Sequence, residues 1–180
     1  MQNHDAARAS EVDASVEDIA AFMQRCSYEV TRPSAADIGE LKSVLPAMSP
    51  VYVTMLPGRP VSELVTASEA VRASGLRPVP HLSARHFESL ASLEALIRDL
   101  VKNAQVDDVL LIGGDTAKPA GSVPDVLTII ESGVLQACGI RAAGVAGFPD
   151  GNPAISDEEA EASLVTKLAA LQRGDLDGYI

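Results

Sequence analysis

The chain has 180 residues, the length of one domain, and 47% of them are hydrophobic, enough for an apolar core. Its formal net charge of −11 argues against nucleic acid or an anionic membrane surface as a partner, since both select basic faces, and leaves an anionic small molecule open because a local site can oppose the global charge. No apolar run reaches the roughly 18 residues of a membrane span, and Met1–Glu11 is polar with no leader-like apolar stretch, so a cytoplasmic protein is expected.

Aromatic residues are only 3% of the chain, with no tryptophan, which disfavours a stacking platform for single-stranded nucleic acid. Cys26 and Cys138 lie in no CxxC pattern, and no His/Cys cluster has metal-ligand spacing. Both cysteines are expected to be reduced, buried thiols.

Residues 1–14 read as a disordered lead-in to a single domain over 15–180. Ser15 with Asp18 opens a short amphipathic helix. A regular alternation follows. Cys26–Val30 is expected as a strand, and Ser34 with Asp37 caps a helix carrying Ile38, Leu41, Val44 and Leu45 on one face. Val51–Met55 is the second strand, Val61–Ala73 a helix stopped by Gly75, and Arg77–His81 the third strand. Leu90–Lys102 is a helix with Leu93, Leu96, Ile97 and Leu100 inward, and Asp108–Ile112 a fourth strand whose apolar run suits a sheet covered on both faces. Val123–Ala137 is expected as one helix, Ile140–Ala146 as the fifth strand, and Ser156 with Glu159 caps a long helix to about Gln172. Gly178–Ile180 would begin a sixth strand.

Strand and helix in strict alternation, with short loops, specify an α/β protein with a parallel sheet and right-handed crossovers. Two architectures fit. One is an open doubly wound sheet. The other is a (β/α)₈ TIM-type barrel, of which this length supplies about the first five β/α units, since a whole barrel takes about 250 residues.

In either architecture, sites gather at the C-terminal ends of strands. Every expected strand carries a polar candidate there. Glu29 lies in the first strand, Thr54 ends the second and His81 the third. Asp115 follows the fourth in Gly113-Gly114-Asp115, and Asp150 and Asn152 follow the fifth. A closed barrel would converge them on one axis. Glu29, between Tyr28 and Val30, is expected to be desolvated, with the raised pKa of a general acid. Gly113 and Gly114 would let a ligand approach the backbone closely. Arg85 is within possible reach of a phosphate, and His86 reads as a surface residue. Neither GxGxxG after a strand nor a Walker motif occurs.

Five segments resemble motifs of the methylenetetrahydrofolate reductase family, in order and with matching spacing from about Cys26 to the chain end. These are Ser27-Tyr28-Glu29-Val30, Val53-Thr54, Pro80-His81-Leu82-Ser83, Gly113-Gly114-Asp115 and Val145-Ala146-Gly147-Phe148-Pro149-Asp150-Gly151-Asn152-Pro153. The resemblance implies a (β/α)₈ barrel with FAD at the strand C-termini, reducing 5,10-methylenetetrahydrofolate to 5-methyltetrahydrofolate with NAD(P)H, or the reverse. It implies Glu29 as general acid and Asp115 beside flavin and pterin. Thr54, His81, Gly113, Gly114, Asp115, Phe148 and Asn152 would line the FAD site, with Lys167 near the cofactor phosphates. The sequence departs from the family pattern at Gly113 (usually Arg), Phe148 (usually Tyr) and Asn152 (usually His). The chain also stops where the sixth strand begins, so it is expected to be part of a longer protein. The alternative is a non-catalytic partial-barrel module for binding or assembly. The folate is the expected partner; a homo-oligomer is compatible with the sequence and not required by it.

Overall fold

The computed structural model describes residues 15–24, 26–116, 118–153 and 155–180; the expected disordered segment 1–14 lies outside them. The order is α1 (Val16–Met23), β1 (Tyr28–Val30), α2 (Ala35–Val44), β2 (Pro50–Val53), α3 (Val61–Ala73), β3 (Arg77–Ser83) with a 3-10 turn at Ala84–His86, then α4 (Leu90–Ala104), β4 (Asp108–Ile112), α5 (Val126–Glu131), α6 (Val134–Ala137), β5 (Ala142–Val145), α7 (Asp157–Arg173) and β6 (Asp177–Tyr179). The protein is thus α/β. All strand pairs are parallel, and the strands lie in chain order, β1-β2-β3-β4-β5-β6. Gly178–Ile180 was expected only to begin a sixth strand; Asp177–Tyr179 pairs with β5 and forms it.

Five of the described helices start where a capping side chain satisfies a first-turn amide. Ser15, Ser34 and Ser156 each accept from the third helical amide while Asp18, Asp37 and Glu159 reach back, as expected. Ser89 with Ser92, and Asp125 alone, do the same for α4 and α5. The expected single helix Val123–Ala137 is two. Gly133 sits at φ 73, in the left-handed region, and the Ser132 hydroxyl accepts from the Val134 amide, so the chain restarts as α6. The fifth strand is shorter than expected at its start because Ile140 closes α6, its amide donating to Leu135 O, with Gly139 at φ 89.

Alternation along the strands divides the sheet into two faces. Val51, Val53, Leu82, Val109, Leu111, Ala143 and Val145 point one way and join the core with Leu64, Val71, Leu93, Ile97, Leu100 and Leu171 from the helices. The opposite parity puts Glu29, Tyr52, His81, Leu110, Gly144 and Tyr179 on the other face, through the registers Glu29↔Tyr52 and His81↔Leu110↔Gly144↔Tyr179. That face is concave. Tyr52 on β2 donates to the hydroxyl of Tyr179 on β6 at 3.3 Å. In a flat sheet those strands would be four spacings apart, roughly 19 Å, so the sheet curls until they meet. Gly144 admits the curl, because a Cβ there would lie 2.7 Å from the Tyr179 ring and 2.9 Å from Leu110. Among the described residues no helix is long and apolar enough to cross a membrane.

Candidate active site

Glu29, Thr54 and His81 come together at the C-terminal side of the concave face. Thr54 begins where β2 ends, its amide held by Val30 O at 3.0 Å. Its hydroxyl donates to Glu29 Oε1 at 2.8 Å, and Thr31 Oγ1 lies 2.9 Å from it on the other side. A hydroxyl has one proton, so with Thr54 donating to Glu29, Thr31 donates to Thr54. The short chain Thr31–Thr54–Glu29 fixes one carboxylate oxygen and leaves the other for a ligand. Glu29 itself is exposed. The expectation that its strand would desolvate it is not met, because alternation turns residue 29 away from the helices that cover Val30.

His81 is the buried member, 6% exposed, and its Nε2 is covered and has no hydrogen-bonding partner. The ring stands edge-on to Tyr52, centroids 6.0 Å apart. Burial lowers the imidazole pKa, with the Glu29 charge opposing part of that shift. A histidine that holds its proton less tightly folded than unfolded costs stability when it must be protonated. The protein should therefore lose stability as pH falls below about 6.5, the ordinary imidazole value. Urea unfolding at several pH values from about 8 to 5 measures this. His81→Gln should flatten the acid limb, and an unchanged limb would remove His81 as its cause.

The loop after β4 forms the next part of the rim. Gly113 O accepts from the Arg85 amide at 3.0 Å, and Gly114 turns at φ 90 over Ser83 and His86. A Cβ on Gly114 would meet Ser83 Cβ at 3.4 Å and His86 Nε2 at 3.5 Å, ordinary contact distances, so it is the left-handed φ that favours glycine. Asp115 is exposed at the tip. His86, expected at the surface, has both ring nitrogens covered and unpartnered. Arg85 spends its guanidinium on the carbonyls of Pro124 at 3.3 Å and Thr116 at 3.4 Å, tying this loop to the segment before α5 rather than leaving it for a phosphate.

After β5, Phe148 lies exposed with its backbone in the left-handed region, φ 49, and its carbonyl accepts from the Gly151 amide in a tight turn. Asn152 bridges to Ile155 across that turn. Lys167 is half-buried on α7, where burial lowers its pKa and the Asp125 charge opposes the shift.

Sequence reading missed a second polar group on the same face, nearer the strand starts. Tyr179 donates to Asp108 Oδ1 at 2.9 Å, and Arg77 Nη1 lies 3.3 Å from Asp108 Oδ2. Asp108 is 2% exposed; desolvation raises its pKa, with Tyr179 and Arg77 opposing. Tyr179 is raised well above the phenol range, first by burial. The signal was available: Tyr52 and Asp108 occupy the parity opposite to Val51, Val53 and Val109 in otherwise apolar strands. Their partners are far away in sequence, and no local pattern names them. Of the two cysteines, Cys138 is buried as expected and Cys26 only partly so; neither is in a disulfide.

No protein-family model matches this sequence.

Proposed function

We propose that the chain is the N-terminal portion of a β/α barrel of the methylenetetrahydrofolate reductase type, a flavin-dependent oxidoreductase of one-carbon metabolism. The observation that carries this reading is the convergence of Glu29, Thr54 and His81, three residues from separate motifs, on one concave face. Two features of the sheet support the barrel form over an open doubly wound one. Its strand order contains no reversal, whereas doubly wound sheets have a switch point, and the Tyr52–Tyr179 contact requires the sheet to curl.

The residues fit a flat heteroaromatic ring with a polar edge. His81 Nε2 is a buried polar atom lacking a partner, which a ring N–H or carbonyl would supply. Gly113 has open space around its missing Cβ, and Phe148, in the loop after β5, offers an exposed aromatic face. His81, Thr54, Gly113, Gly114, Asp115, Phe148 and Asn152 would surround FAD. When bound, FAD supplies two-electron hydride chemistry, with NAD(P)H as the source of electrons. Glu29 would deliver a proton to the bridge nitrogen of 5,10-methylenetetrahydrofolate that leaves as the five-membered ring opens, generating the iminium that accepts hydride. Thr54 holds that carboxyl in place. Asp115, at the exposed tip, would stabilise positive charge on the pterin side.

The test is flavin retention. The chain mixed with FAD and freed of excess by gel filtration should keep a visible flavin band. His81→Leu should weaken retention about tenfold, the effect of one lost buried hydrogen bond. A folded chain that retains no flavin would sink the reading and favour the non-catalytic module.

A further inference from the structure

We propose that Arg32 and Arg59, around the cavity at the start of α3, form an oxyanion subsite that takes a terminal carboxylate or phosphate of a bound ligand. It rests on the following geometry.

A small open cavity lies between the loop after β1 and the start of α3. Val53, Met55 and Leu64 contribute apolar walls, and Thr54, Arg32 and Arg59 contribute polar groups. Thr54 is shared: the residue that lines this cavity also donates to Glu29. The cavity lies on the helix-covered side of β2, against Val53 and Leu64, and its size suits a terminal group rather than a ring system.

Charge at this spot runs against the rest of the molecule. The chain carries −11 overall, yet here two guanidinium groups face one carboxylate, Glu63. Arg59 is oriented by that carboxylate through Nε at 3.2 Å and through Nη2. Arg32 Nε stands 3.7 Å from Glu63 Oε2, an ion pair too long for a hydrogen bond. The Arg32 fork is left with charge attraction and donors to spare. Glu63 thus shows the class of group the pair accepts while occupying only part of it.

Arg32 also sits in the left-handed backbone region, φ 51, unusual for a residue with a Cβ. That conformation follows Thr31, whose hydroxyl belongs to the Thr54–Glu29 chain. An arginine fork matches the two oxygens of a carboxylate or phosphate.

The test uses the whole chain and two probes, N-(4-aminobenzoyl)glutamate for a carboxylate source and inorganic pyrophosphate for a phosphate source. Calorimetric titration at about 0.15 M salt should show one of them saturating at around 1 mM. Arg32→Gln should weaken it tenfold or more. Arg98→Gln, at an exposed pair on the outer helix α4, should leave it unchanged. Whichever probe saturates identifies the source. Saturation by neither, or Arg32→Gln binding as tightly as the parent, overturns the subsite. Loss of flavin retention with Arg32-dependent probe binding intact would sink the flavin reading and leave the subsite standing; the converse would sink the subsite alone.

Discussion

On the reductase reading proposed above, replacing Glu29 with Gln in the flavin-loaded protein is expected to lower turnover of 5,10-methylenetetrahydrofolate by about 10²–10⁴-fold, the usual contribution of a positioned general acid. Gln keeps the side-chain length and still accepts the Thr54 hydrogen bond observed at 2.8 Å. It has no acidic proton to give. Flavin retention should be unchanged, and the loss should appear in kcat rather than KM, because the missing interaction belongs to the transition state. Thr54→Val supplies the comparison. It keeps the acid and removes the donor that orients it, so its loss should be smaller, on the order of tenfold. A Glu29→Gln enzyme within a few-fold of the parent would remove Glu29 from the chemistry.

The second large effect concerns the polar group beneath the site. Tyr179→Phe should destabilise the fold by about 1–3 kcal/mol, the cost of leaving a buried acceptor short of a donor. The Tyr179 hydroxyl donates to Asp108 and accepts from Tyr52, so its loss removes both bonds and leaves Asp108 with Arg77. Tyr52→Phe breaks only one of them and should cost less.

The pH dependence distinguishes this network from ordinary packing. Burial already raises the Asp108 pKa above its usual 3.8. Removing a hydrogen bond to the carboxylate raises it further. A raised carboxyl contributes stability that is complete below the unfolded value and lost as pH rises through the folded one. The Tyr179→Phe deficit should therefore be largest above that folded value and shrink on acidification toward 3.8. Denaturant melts across this range measure it. In an Asp108→Asn background, Tyr179→Phe should show a smaller and flatter deficit. A deficit independent of pH and of residue 108 would assign Tyr179 to packing alone.

Local structure in this chain was legible because it is encoded in adjacent residues. Ser15, Ser34 and Ser156 form caps with partners three positions away, and such pairs need no tertiary context. The bounds of α3 and β4 match the reading because Gly75 and the apolar run Val109–Ile112 mark them directly. The break at Gly133 was less visible, since a glycine within an apolar periodic stretch reads equally as helix until its φ is known.

The placement of polar residues at strand ends was also legible, and it named Glu29, Thr54 and His81. Their exposure was not. Whether a strand residue is solvated depends on which face the helices cover, and that is set by the crossovers. Tertiary structure alone left Glu29 exposed and His81 buried on that same face. It committed Arg85 to carbonyls and took Lys167 to the helix layer. It also joined Tyr52, Asp108 and Tyr179 across 127 residues of chain, because curling a parallel sheet brings its distant strands within reach of two tyrosine side chains. The amino-acid order by itself determined the α/β alternation, the helix starts and the candidate residues. The curvature decided which of those residues share a site.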